Sequence, residues 1–240
     1  MFEHALAPDQ HSVEAQAWLA NALVARATDG WSDSPAADMR RAEELVGEAM
    51  AAAPRNWFAH YAKGSIRRSQ GRCEEAIPEY ETTLALNPNW INALDFLAWC
   101  KFMTGSVAEG VPLEEQVIRL SPRDPYIGNF YLRGGYMYLL QSRTDEAIVW
   151  YEKARNASPG GFGVHSHLAS AYALKGEKER AAAELAEARR LAPDDRYSSI
   201  ARLRAAGGAG GPGYWGVPKV RALYEATYFA GLRKAGMPEE

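Results

Sequence analysis

Residues Trp57–Trp90, WFAHYAKGSIRRSQGRCEEAIPEYETTLALNPNW, decide how the chain is read. Apolar residues recur at helical spacing on both sides of Gly71, so the stretch predicts two short amphipathic helices joined by a tight turn. Gly64 and Ala76 are small where two such helices must approach closely, and Pro88 closes the unit. Nothing in the stretch carries chemistry. Its weight comes from recurrence: Pro54, Pro88 and Pro122 stand 34 residues apart, Pro159 follows after 37, and Pro193 after a further 34.

A helix–turn–helix unit repeated at this period resembles the tetratricopeptide repeat (TPR). The resemblance implies an all-α fold, a right-handed TPR superhelix of the α-solenoid class, in which each unit buries its apolar face only by stacking on its neighbours. Five units are predicted: 13–56 (expanded), 57–90, 91–124, 128–161 and 162–195. In the register of the later units, Phe2, Ala5 and Leu6 fall where a second helix carries its core residues. Residues 1–12 therefore read as the remnant of a preceding repeat helix, as in a fragment of a longer protein or an eroded natural start.

The first unit carries an insertion, TDGWSDSPAAD, whose Asp, Gly, Ser and Pro make it a loop. Its Trp31 is expected to fold back onto the helices. Pro78 and Pro112 stand early in second helices, where a proline predicts a bend and not a break. The third unit has Gly110 where Ala is usual and Glu114 where an aromatic is usual. After Asp195 the pattern stops. The remainder, 196–240, reads as a short helix, a Gly-rich linker at 207–213 and a final helix with Val220, Leu223, Tyr224, Tyr228 and Leu232 on one stripe. That helix is expected to cap the last repeat, since a solenoid needs its open end covered; the alternative places it in the concave groove as a built-in pseudo-ligand.

Composition narrows the function. The chain has 240 residues, 47% of them apolar and 24% charged, as in an ordinary globular protein. A net charge of −3 disfavours a nucleic-acid binder or a basic membrane patch. No apolar run reaches the ~20 residues of a membrane span, and no basic-then-apolar leader opens the sequence, so a cytoplasmic location is expected. Cys73 and Cys100 are too few and too far apart in sequence for a disulfide framework or zinc knuckle, and read as two buried thiols. HExxH, GxxxxGK[ST], GxSxG and CxxC patterns are missing. The GAGGPG run at 208–213 matches GxGxxG only formally, because no strand precedes it and a proline interrupts it. His165 and His167 are expected to be structural, and His60 partly buried. The chain is read as non-enzymatic, with no cofactor and no metal.

Function is expected on the inner wall, formed by the first helix of every unit. Its recurring positions place Asn21, Phe58, Tyr61, Arg68, Asp95, Trp99, Phe102, Asn129 and Tyr136 in a candidate partner-binding groove; in the fifth unit the same positions hold Gly163, Ser166, Ser170, Ala173 and Leu174. Aromatic anchors of this kind suit an amphipathic helix or extended peptide. TPR co-chaperones hold a peptide carboxylate with Lys and Asn on this wall. Here the corresponding positions are Tyr61, Asp95 and Leu132, so the chaperone-tail clamp is absent.

The stretches at 30–60, 119–125 (RLSPRDP) and 228–240 (YFAGLRKAGMPEE) resemble the C-terminal TPR regions of bacterial class III adenylate/guanylate cyclases. Related regions occur in winged-helix TPR regulators. The resemblance implies a regulatory or sensory scaffold for a protein or peptide partner, including an N-terminal effector domain of the same parent chain. None of the cyclase's catalytic residues can be placed on this sequence. A homo-oligomerisation module and a small-molecule or lipid pocket closed by the C-terminal helix are the alternatives.

Overall fold

In a computed structural model, the structure describes residues 12–207 and 215–240. The expected remnant at 1–12, apart from Ser12, and nearly all of the Gly-rich linker lie outside the described residues. Every regular element described is helical. Consecutive pairs are α1 (Val13–Thr28) with α2 (Pro35–Ala52), α3 (Trp57–Ser69) with α4 (Cys73–Leu86), α5 (Ile91–Met103) with α6 (Val107–Leu120), α7 (Ile127–Leu140) with α8 (Thr144–Ala157), and α9 (Phe162–Lys175) with α10 (Lys178–Leu191). A 3₁₀ turn (Arg196–Ser198), α11 (Ile200–Ala206), α12 (Pro218–Tyr224), a π-helical turn (Glu225–Phe229) and α13 (Ala230–Lys234) complete the chain.

Two compact units are present, residues 1–100 and 101–240, and the division falls inside α5. In the first, α1 packs on α2 and α3, and α3 on α4. In the second, α6 to α10 pack each on the next. Helix starts follow from local chemistry. The Asn56 side chain accepts hydrogen bonds from the amides of Phe58 (3.0 Å) and Ala59 (2.9 Å), satisfying two orphan donors at the start of α3. Ser199 does the same for Arg202 at α11. Helices α4 and α6 run on through Pro78 and Pro112, because a proline in the first turns forfeits few intrahelical bonds.

The small positions are where paired helices meet. A Cβ added to Gly64 would fall 2.7 Å from Cε1 of Tyr80, a ring with no exposed surface. Gly135 stands in the same relation to the fully buried Tyr151. The turn between paired helices requires a left-handed residue, and Gly71, Gly105 and Gly176 supply it with φ of 73°, 96° and 90°. The equivalent residue between α7 and α8 is Ser142, at φ 59°. A side chain there bears the steric cost that glycine avoids.

Trp31 departs from expectation. It is 75% exposed. The insertion is held by Asp38 instead, which accepts hydrogen bonds from Arg26 on α1 and from the Ser32 hydroxyl at 2.6 Å. These bonds, led by the Arg26 one, keep the Asp38 carboxyl below its ordinary pKa. The loop had a polar anchor available at its base, so burial of the indole was not required.

Two substitutions test this account by urea unfolding. Gly64→Ala is expected to lower stability by about 1–3 kcal/mol, because Tyr80 has no room to retreat. Ser142→Gly is expected to raise it by about 1 kcal/mol by removing the left-handed strain.

Candidate functional site

The nine groove candidates fall into two sets, one in each compact unit. In residues 1–100, Phe58 and Tyr61 are each only 3% exposed. The Phe58 ring stacks on Trp18 at 3.8 Å and meets the edges of Trp57 and Trp90 at 5.2 and 5.8 Å. Tyr61 lies between Trp90 (5.6 Å) and Phe96 (6.2 Å), and burial lifts its phenol pKa to about 12. Asp95 and Trp99 are buried, Asn21 and Arg68 half-buried. The Arg68 guanidinium sits 4.0 Å over the Phe96 ring.

These rings are therefore mostly core. The expected open aromatic wall is corrected here: Phe58 and Tyr61 are consumed by aromatic neighbours, Trp99 is buried, and Trp18, 39% exposed, is the large ring left at the surface of this cluster. Neither Trp18 nor Trp90 stood at an inner-wall position, so the sequence register did not flag them. Their only signal was the density of tryptophan around the first two turns of α3.

In residues 101–240 the wall is covered by the chain itself. Helix 218–234 packs along α9 and touches α7. The Tyr228 ring stacks on His167 at 4.1 Å with planes 13° apart, and its hydroxyl meets Ser166 Oγ at 2.8 Å. Ser170 Oγ donates to the Tyr228 carbonyl at 2.8 Å. That carbonyl lies in the π-helical turn, where the wider winding leaves a backbone acceptor to be used by a neighbour. A Cβ on Gly231 would fall 2.5 Å from the Ser170 carbonyl oxygen, so the helix is seated as closely as backbones allow. Tyr224 meets the edge of Phe102, which has no exposed surface, and Trp215 packs on Tyr224, Tyr228 and Phe229. Phe102 and Tyr136 lie 6.5 Å apart, and Tyr136 packs on His167 at 4.3 Å. Asn129 is exposed at the start of α7.

The expected cap thus packs on α7 and α9, the first helices of the last two units. The last helix pair is covered by the 3₁₀ turn and α11, with Arg189 donating to the Tyr197 carbonyl at 2.9 Å and Tyr197 packing on Phe162. The C-terminal tail then locks α11: the amides of Ile200 and Ala201 donate to the carbonyls of Pro238 and Glu239, both at 2.9 Å. With α11 already over the repeat end, the apolar stripe of 218–234 finds its partner on the inner wall. Ser166 and Ser170 were in the predicted inner-wall register; His167 was not recognised as part of the same surface.

Two histidines form a repeated clamp that the sequence reading missed. His60 Nδ1 meets Glu79 at 2.6 Å and its Nε2 meets the Pro54 carbonyl at 3.0 Å. His165 does the same with Glu184 (2.6 Å) and the Pro159 carbonyl (3.1 Å). Both histidines hold the fourth position of their units and both glutamates lie 19 residues on, so a register search for polar pairs finds them. Burial works against the Glu79 charge, but hydrogen bonds from Lys63 and His60 outweigh it and hold the carboxyl below its ordinary pKa. Each clamp ties the closing proline of one unit to both helices of the next.

Among the described residues no three His, Cys, Asp or Glu side chains are grouped to hold a metal ion, and no helix is long and apolar enough to cross a membrane. Tyr136, Phe162, His167, Arg196, Trp215, Tyr224 and Tyr228 are among the residues lining a cavity of about 250 Å³. His167 donates from Nδ1 to the Gly163 carbonyl at 2.8 Å, while its buried Nε2 has no protein partner.

Comparison with known proteins agrees with this architecture. One tetratricopeptide-repeat family model matches residues 36–89 and again 61–125, and a second matches 138–206. The chain is a tetratricopeptide-repeat protein, with the all-α TPR solenoid fold class expected from its period. Among similar solved structures is YrrB, described as a TPR protein with an unusual peptide-binding site: TM-score 0.64, 18% identity, covering 85% of this chain and 96% of that one. MamA is another, at TM-score 0.59 and 22% identity over 65% of this chain and 89% of the other. A MamA fragment from Desulfovibrio magneticus RS-1 gives TM-score 0.62 and 19% identity over 73% and 94%. No curated protein sequence matches.

His167 gives the site a pH signature. Burial drives its pKa down from 6.5 to about 4, so the folded chain holds it neutral. Its contribution is complete above pH 6.5. It is lost as pH falls through 6.5 towards 4, because the unfolded chain then binds a proton that the folded one refuses. The full effect is about 3 kcal/mol. His167→Phe, which keeps the stack on Tyr228, is expected to flatten the loss of stability measured by urea unfolding between about pH 7 and about pH 4.5.

Proposed function

We propose that the chain is a non-enzymatic protein-interaction scaffold whose inner wall binds an amphipathic helix, and that helix 218–234 is its resident occupant. The observation that carries this reading is the seating of that helix on α7 and α9 through Tyr228, Ser166, Ser170 and Gly231. A TPR wall that accepts its own helix in this way has the small residues, hydroxyls and flat rings needed for a partner helix. The peptide-binding site named for YrrB supports the same use of the fold. Resemblance at 30–60, 119–125 and 228–240 to the TPR regions of bacterial class III cyclases and winged-helix regulators supports a regulatory or sensory role in a larger bacterial signalling protein. In that setting the partner is another cytoplasmic protein or an effector domain of the same parent chain. Release of the resident helix would then be the step that opens the wall.

A second reading rests on the 250 Å³ cavity beside His167. Its aromatic lining and unpartnered imidazole nitrogen suit a small planar molecule with a hydrogen-bond donor. A thermal shift given by such molecules, and by no peptide, would favour it.

The helix-binding reading is tested with a fluorescent peptide of residues 215–240. Gly231→Val is expected to dislodge the resident helix against Ser170, and the variant should then bind the peptide with Kd on the order of micromolar. The wild type should bind it at least about tenfold more weakly, because its own helix competes as an intramolecular ligand. A folded, helical Gly231→Val that does not bind the peptide sinks the reading.

A further inference from the structure

Cys73 and Cys100 lie 27 residues apart in sequence, yet their Sγ atoms meet at 2.8 Å. Both are buried free thiols, as the sequence leads one to expect; their contact is what the sequence does not show. It arises because the first residue of α4 faces the last turns of α5 across the stacked helices, a pairing that Cys spacing alone does not encode. A disulfide bond is about 2.05 Å long, so closure by less than about 1 Å would join them.

The two sulfurs are not equivalent. Cys73 is the first residue of α4, where no side chain caps the exposed amides and the helix dipole favours an anion. The Cys100 thiol donates its proton toward it, and Arg68 adds positive potential; both lower the Cys73 pKa against burial. Cys100 is raised, first by that same hydrogen bond. Cys73 retains 9% exposure and Cys100 none. The less buried sulfur is therefore the one whose thiolate is favoured, with the fully buried Cys100 thiol in contact with it.

We propose that Cys73 and Cys100 form an oxidation site for small hydroperoxides, with Cys73 attacking and Cys100 resolving. The Cys73 thiolate attacks the terminal peroxide oxygen and the O–O bond breaks. Sulfenic acid forms at Cys73, and the departing hydroxide or alkoxide takes up a proton from solvent. The Cys100 sulfur then attacks the Cys73 sulfur: the S–S bond forms, the S–O bond breaks, and the hydroxyl leaves as water with the Cys100 proton. Two thiols lose two electrons, and the peroxide is reduced to two waters, or to alcohol and water. The bond would tie the start of α4 to α5 beside the Arg68–Phe96 contact. Because the resolving sulfur is already in place, disulfide is the product and not sulfinic acid.

The test is a thiol count in denaturant with intact-mass analysis, before and after a small excess of hydrogen peroxide. Wild-type protein is expected to lose both thiols and a mass of two hydrogens, to recover them with dithiothreitol, and to run as a single chain on a non-reducing gel. Cys100→Ser should stop at a sulfenic acid trapped by dimedone, roughly tenfold faster than any reaction of Cys73→Ser. Retention of both wild-type thiols, bridging between chains, or equal reactivity of the two variants overturns the proposal. The wild-type measurement decides the bond without relying on the folding of either variant.

Discussion

The contact on which the rest depends is a ring lying flat against bare backbone. Tyr80 covers Gly64 and Tyr151 covers Gly135, and neither ring has exposed surface. A short two-helix unit buries too little apolar area to stand alone. Bringing the paired axes close enough for a tyrosine to fill the gap is what turns two weak helices into a stackable layer. The left-handed residue at each turn serves the same end, since it reverses the chain tightly enough for that approach.

Layers are then tied by polar contacts at fixed register. The His60–Glu79–Pro54 and His165–Glu184–Pro159 clamps each connect a closing proline to both helices of the following unit. Such a clamp adds direction to packing that apolar burial leaves permissive, because a carbonyl and a carboxylate accept only along defined lines. Arg155 joins the second clamp through Glu184, so a buried carboxylate there has two donors and no orphan charge.

The C-terminal helix changes what the second compact unit presents. Its stripe of Val220, Tyr224, Tyr228 and Leu232 is buried, and the serines of α9 contact both its hydroxyl and its backbone. That face of α7 and α9 is thereby buried under a helix of the same chain. Under the proposed function, a competitor would have to supply equivalent contacts and overcome the high effective concentration of a tethered ligand.

The amino-acid sequence by itself determined the period, the helix pairs, the small positions under Tyr80 and Tyr151, and the lack of recognisable catalytic motifs. Each of these is a local or fixed-register property, legible from residue types at repeated spacing. It also supplied the inner-wall register that contains Ser166, Ser170 and Tyr136. Tertiary structure alone decided which aromatics remain accessible, where helix 218–234 lies, and that Cys73 meets Cys100. Helices such as α5 (INALDFLAWCKFM) and α9 (FGVHSHLASAYALK) carry apolar or small residues on nearly every side, so their pattern names no outward face. The occupant of each face is settled by competition among neighbours distant in sequence: Trp18 and Trp90 won Phe58, and the C-terminal helix won the wall.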